Sequence, residues 1–304
     1  MAAQTLREIA IDKAKKRPEL VDFLLEEAPI LNTMKWIPAS HGLWNVEEQL
    51  SDIAGAQFVD LDATLPTMDA STKLTQTYVS VMGGQMEVGE DKAAQFGGAP
   101  AYFARREPKM IKKAGMDCEI AIFRDYWRKA AVKNGLVTKV GGTGNKLSTI
   151  MVVRQDSDNN IGIYDPTCFT SGRLLDVKPI NNGALYHTKQ GQGPLGYGVR
   201  YKGRFGWQIL SPKRAVFALV NCDADHLPTV AMVEDAIAEV RGTPGNCMIF
   251  GNEKLIGKMI SSWKMAKIEY SVGDGSLKTR FGDLNGIKFM GSYNVSDFNE
   301  GAVA

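Results

Sequence analysis

The segment from Trp36 to Gln76 constrains this chain more than any other. WIPASHGLWNVEEQL and GAQFVDLDATLPTMDASTK hold strand-like pieces, turn residues and three large aromatics, Trp36, Trp44 and Phe58. No helical period runs through them. About 40 residues without a core of their own do not fit inside a single globule. The segment reads as an extended two-stranded excursion, and an isolated hairpin is only marginally stable in water. Its aromatics need another surface to cover them, and a second copy of the chain would supply one. Trp36, Trp44, Glu47, Glu48 and Phe58 are therefore the candidate intersubunit contacts.

The flanking sequence has ordinary periodicity. Residues 1 to 28 read as a helical arm, with Leu6, Ile9, Ala10 and Lys13 at helical spacing. Pro18 then opens a short helix carrying Val21, Phe23, Leu24 and Leu25. Lys13, Lys15, Lys16 and Arg17 form a basic cluster, either a solvated helix end or a contact for an acidic partner. Leu74 to Gly89 predicts two β segments bent at Gly83-Gly84. The longest helical signal follows, with Pro108 suited to its first turn and Gly135 to its C-terminal cap. Met110, Ala114, Cys118, Ala121, Ile122 and Phe123 give it an apolar stripe. Residues 105–133 hold nine Lys/Arg against four Asp/Glu, the wet face of an amphipathic helix or a face turned towards a polyanion.

From residue 147 strands alternate with helices. LSTIMVVRQ and CMIF read as strands, and Gly/aromatic stretches such as GYGVRYKGRFGWQIL as strands or loops. Thr229 caps a helix bearing Val230, Val233, Ile237 and Val240, stopped by Gly242. Asn252 caps another, with Leu255, Ile256, Met259, Ile260 and Trp263 on its apolar side. Near the end, Asn285-Gly286 predicts a tight hairpin, because both turn residues must take positive φ. Its register sets Leu284 opposite Ile287, Asp283 opposite Lys288 and Gly282 opposite Phe289.

Signals for catalysis are missing. His41, His187 and His226 stand apart, with no zinc spacing, and no nucleophile elbow is present. GGTGNK, Gly141 to Lys146, does not complete a P-loop. Cys222 lies near His226 in sequence but reads as structural. The chain is expected to be no enzyme and to need no cofactor or metal. A formal charge of +2 argues against a dedicated nucleic-acid binder. The four cysteines lack C-x-x-C spacing and suit a reducing compartment. The apolar run AVFALV is far below the roughly 20 residues that span a bilayer, so no membrane partner is expected.

The order of these parts, with PTCFTSGRLLDVKPINNGALY, LGYGVRYKGRFGWQIL, GTPGNCMIFGNEKLIGKM and FGDLNGIKFMGSYNVSD, resembles the major capsid proteins of tailed bacteriophages. That resemblance implies an α+β, HK97-like capsid fold with N-arm, extended E-loop, P-domain with a long spine helix, and A-domain. The corresponding segments are 1–35 for the arm, 36–76 for the E-loop and 77–146 for the P-domain, with the spine helix over 108–134. Residues 147–275 would form the A-domain, and 276–304 would return to the P-domain. There the hairpin of residues 279–292 would pair with the β segments around Leu74 to Val88.

The implied function is a coat protein that assembles through pentamers and hexamers into an icosahedral head. Packaged double-stranded DNA would be contacted without sequence reading, with Lys13, Lys15, Lys16 and Arg17 as DNA-facing candidates. A separate scaffolding protein, a portal and a decoration protein are the implied further partners. The virion, and the host cytoplasm during assembly, is the implied location. The alternatives are an encapsulin-type nanocompartment shell and a cytoplasmic α/β enzyme with its site in 147–275.

Overall fold

A computed structural model describes residues 28–61, 64–65, 67–156, 159–168, 176–263, 282–295 and 300–303. The expected helical arm, with Lys13, Lys15, Lys16 and Arg17, lies outside the described residues. The chain enters through α1 (Pro29–Thr33) and β1 (Trp36–Pro38). The strands β2 (Trp44–Ala54), β3 (Asp69–Tyr78) and β4 (Ser80–Gly89) follow, then the helices α2 (Glu90–Gln95) and α3 (Ala99–Ala121). A π segment (Ile122–Arg128) carries α3 without a break into α4 (Lys129–Lys133). Next come β5 (Val137–Lys139), β6 (Ser148–Arg154), β7 (Asn160–Tyr164), β8 (Asp176–Pro179), β9 (Tyr186–His187), β10 (Leu195–Ile209) and β11 (Val216–Cys222). The described chain closes with α5 (Val230–Glu239), β12 (Cys247–Asn252), α6 (Glu253–Ser262), β13 (Asp283–Leu284) and β14 (Ile287–Ser292).

Three sheets result. The first has the order β1-β7-β10-β4, with β8 and β9 also on β10, and the second runs β13-β14-β12-β6-β11-β5. The third is β2 and β3 alone. The second sheet is covered on both faces. Ile150, Val152, Leu219, Ile249 and Phe289 pack with α5 and α6, while Met151, Val153, Ala218 and Phe250 face the long helix. Because both faces are covered, β6 is buried at six successive positions, Ser148 to Val153. Trp127, in the π segment, is fully buried with its ring 5.5 Å from Trp207 of the first sheet and 5.1 Å from Phe250 of the second. One side chain thus touches both sheets within a single core.

Several local readings hold. Thr229 accepts a bond from the Met232 N–H, and Asn252 from the Lys254 N–H, so both helices carry the side-chain caps expected. Asn285 and Gly286 take φ of 53° and 80°, and Asp283 pairs with Lys288 and Leu284 with Ile287. Gly135, at φ 68°, ends the long helix.

Four expectations are corrected. The long helix begins at Ala99, not at Pro108, since Pro100 fills its first turn and Pro108 sits inside it. Either proline suits a helix start, and only the positive φ of Gly97 and Gly98 breaks the chain before the first. Its buried stripe runs through Ile111, Gly115, Cys118 and Ile122, leaving Met110 47% exposed. Gly83-Gly84 is no bend: β4 pairs with β10 without interruption from Ser80 to Gly89, and the chain turns at Val79. Gly83 is needed for close approach, since a Cβ there would collide with the Tyr201 carbonyl oxygen. Finally, the terminal hairpin does not join β4. It lies beside β12, with β14 parallel to it from Met248↔Lys288 to Asn252↔Ser292, and β10 holds the place on β4. Helix α6, which follows β12, covers Ile287 and Phe289.

Candidate assembly surface

The ribbon of β2 and β3 is antiparallel from Trp44↔Tyr78 to Ala54↔Asp69, with a bulge between Leu50 and Asp52. Its root is anchored by polar bonds. The Asn45 side-chain amide donates to Gln208 Oε1 at 2.7 Å in a buried position, and Gln49 Nε2 donates to the Leu210 carbonyl at 2.6 Å. Thr75 Oγ1 donates to Gln49 Oε1, which ties the second strand to the same anchor. The half-buried Trp44 stacks face to face on His41, with ring centroids 3.8 Å apart.

Beyond the root the ribbon leaves its own subunit. Phe58 and Leu61 are fully exposed, and Leu65 and Met68 are at least 67% exposed. A concentration of large apolar side chains at one tip marks a binding surface rather than scattered surface residues. The ribbon is also mostly acidic: residues 44–78 hold six acids (Glu47, Glu48, Asp52, Asp60, Asp62, Asp69) against one base, Lys73. Glu48 is exposed, while Glu47 is half-buried and accepts from the Asn45 amide at 3.3 Å.

Trp36 departs from the expected contact set. It lies on β1, inside the first sheet, with its ring edge-on to Phe205 at 6.1 Å and to Trp207 at 5.7 Å. Gly162 leaves room for that ring, since a Cβ there would meet Trp36 Cε3 at 2.5 Å. Trp36 therefore serves its own core, and the excursion begins after β1.

A surface not singled out in the sequence completes the picture. Among the described strands β4 pairs with β10 alone, so its outer edge is open. Beneath that edge, Met82, Gly84, Met110, Ile111, Ala114 and Tyr201 line a groove of about 180 Å³ against α3. Arg105, Arg106, Lys109 and Lys113 are exposed on this part of the helix, and Lys113 is paired to Asp117 at 2.5 Å. Adjacent glycines in a strand were the available signal, because they leave backbone open at an edge.

The remaining titratable groups are structural in setting. Burial pushes the Cys118, Cys222 and Cys247 thiols up to about 12, far from nucleophilic use. Cys222 does not meet His226: its thiol donates to the Leu219 carbonyl, and His226 Nδ1 lies 2.9 Å from Asp223 Oδ1. Asp165 is 1% exposed beside Arg204 at 2.7 Å. Its burial is outweighed by bonds from Thr167 and Arg204, which hold the carboxyl below the usual range. No group of three His, Cys, Asp or Glu among the described residues could hold a metal ion. No helix among them is long and apolar enough to cross a membrane.

No protein-family model and no curated protein sequence matches this chain. Solved structures do. A near-atomic structure of bacteriophage Epsilon15 aligns over 90% of this chain and 88% of its own, at 13% identity and a TM-score of 0.55. The capsid of bacteriophage JBD30 aligns over 87% of this chain and 89% of its own, at 10% identity and a TM-score of 0.54. The SrpI encapsulin complex of Synechococcus elongatus PCC 7942 aligns over 64% of this chain at a TM-score of 0.46, too low to carry an argument. The chain therefore has the α+β, HK97-like fold of tailed-phage capsids.

Proposed function

We propose that this chain is a major capsid protein that builds an icosahedral phage head around double-stranded DNA. The observation that carries the reading is the ribbon tip: on a chain with a capsid fold, Phe58 and Leu61 project fully exposed from an anchored two-stranded arm. Such a tip gains stability only on another surface. Each aromatic ring buries about 150–250 Å² when covered. A ribbon that reaches from one copy onto a different surface of the next makes a heterologous contact, which closes into rings such as pentamers and hexamers. The acidic ribbon and the basic stretch Arg105 to Lys113 have the opposite charges such a contact needs. The groove under the β4 edge offers apolar cover for the tip.

The other roles follow as parts of the same reading. The assembled shell belongs to the virion, and assembly takes place in the host cytoplasm. Lys13, Lys15, Lys16 and Arg17 would contact the packaged DNA through its phosphates, without sequence reading. A separate scaffolding protein, a portal and a decoration protein would complete the head. No catalytic step is assigned to the chain.

Sedimentation and electron microscopy of the purified full-length chain test the proposal. Pentamers, hexamers or megadalton shells are the expected result. A chain that stays a monomer or dimer at high concentration, with Phe58 still exposed, overturns it.

A further inference from the structure

Three separate parts of the chain meet on one carboxyl group. Glu119 lies in the last turn of α3 and is fully buried. Its Oε2 accepts from the Asn294 side-chain amide at 3.3 Å, in the segment that follows β14. The Ser292 hydroxyl, at the end of β14, and the backbone N–H of Ile30, in α1, also lie against the carboxyl. Its Oε1 has no hydrogen-bond partner. The groups it holds are buried too: Ala28, Ile30 and Leu31 at the start of the described chain, and Ser292 and Val295 beyond the hairpin. Three residues further along, the helix widens into the π segment that carries Trp127. A buried carboxyl with an orphaned oxygen costs more to ionise in the closed joint than in water.

We propose that Glu119 is a proton-operated joint, which clamps α1 and the segment after β14 to the long helix when protonated and slackens when ionised. The proposal does not rest on the shell reading. Among the described residues no cation faces the carboxyl to offset its charge. α1 has no titratable residue, and the segment 292–295 has only Tyr293, 66% exposed. β14 carries Lys288, which stands opposite Asp283 in the hairpin. On α3 the adjacent ionisable group is the thiol of Cys118, itself neutral and pushed up to about 12 by burial and then by the Glu119 charge. Burial raises the Glu119 carboxyl to about 7, against the opposing bonds from Ser292, Asn294 and Ile30. The closed joint therefore holds its proton more tightly than an opened, solvated glutamate, for which 4.5 is the ordinary value. Opening is favoured as pH rises from the ordinary value to about 7, and is constant above that.

Hydrogen–deuterium exchange on the full-length protein tests this, with rates corrected for the intrinsic pH dependence of amide exchange. The local opening constant of the protected amides in 28–34 and 292–295 should rise on the order of fiftyfold between pH 5 and pH 8, then level off. Glu119→Gln should flatten that profile while amides of β6 stay protected in both proteins. A flat profile in the wild type, or an unchanged slope in Glu119→Gln, overturns the proposal. Asn294→Ala supplies a second arm should Glu119→Gln fail to fold. It removes a donor that favours the ionised carboxyl, so the plateau should move to higher pH, and a plateau that does not move also overturns the proposal.

Discussion

Two antiparallel strand pairs in this molecule begin alike and end differently. The terminal hairpin of β13 and β14 is short, yet Ile287 and Phe289 are at most 2% exposed because β14 joins a six-stranded sheet beneath α6. The ribbon of β2 and β3 is longer, is fastened at its root through Asn45 and Gln49, and carries Phe58 and Leu61 fully into solvent. Fully burying an aromatic of that kind contributes about 1.5–3 kcal/mol. The hairpin draws that gain from its own subunit. The ribbon tip draws none of it from the described residues of its own subunit. Pairing and turn chemistry are local in both cases; what differs is whether the rest of the chain supplies a lid.

The sharpest way to break this contrast is truncation on the covered side. Phe289→Ala should lower subunit stability by about 3–5 kcal/mol, read from denaturant unfolding of the dissociated chain. A loss below about 1 kcal/mol would mean the hairpin is no more embedded than the ribbon. Next comes the joint at the end of β14. The Glu119 carboxyl is raised by burial from 4.5 to about 7, so its contribution is complete below about pH 4.5 and lost as pH rises to about 7. The stability of wild type relative to Glu119→Gln should therefore fall by about 3 kcal/mol across that window, and ribbon amides should not share the change.

The ribbon's own anchor is the third test. Asn45→Ala removes the buried bond donated to Gln208 Oε1 and should cost about 1–3 kcal/mol, with faster exchange confined to the ribbon root. Comparing turns is gentler. Gly286 has φ 80° and a Cβ there would meet Pro244 at 3.1 Å, so Gly286→Ala should cost about 1–2 kcal/mol. Gly55, at the ribbon tip, has open space around it, and Gly55→Ala should be neutral or slightly stabilising in thermal unfolding. The smallest effect on the subunit is expected from Phe58→Ala, within about 0.5 kcal/mol. Its effect should instead fall on assembly, seen as fewer particles in the ultracentrifuge at equal chain concentration. Normal particle yield from that variant would remove the ribbon tip from the contact.

The legible parts of this molecule are those decided within a few residues. Thr229 and Asn252 cap helices because their side chains reach N–H groups two or three positions on. Asn285-Gly286 sets a register because only two residues must take positive φ. Ambiguity entered where one signal had two local uses. Pro100 and Pro108 both suit a helix start, and Gly83 reads equally as a bend or as room for a neighbouring strand. The groove beside Met110 was not legible at all, since it is made by residues of β4, β10 and α3 that meet only in the folded chain.

By itself the sequence determined the local elements: the capped helices, the turn at Asn285-Gly286, and an aromatic-bearing stretch from Trp36 to Gln76 with no core of its own. Tertiary structure decided their partners: Trp36 over Gly162, β14 beside β12, and Glu119 against α1 and Asn294. The physical reason is range. Capping and turn preferences act through neighbouring atoms of the backbone, whereas burial depends on surfaces supplied from tens to more than a hundred residues away.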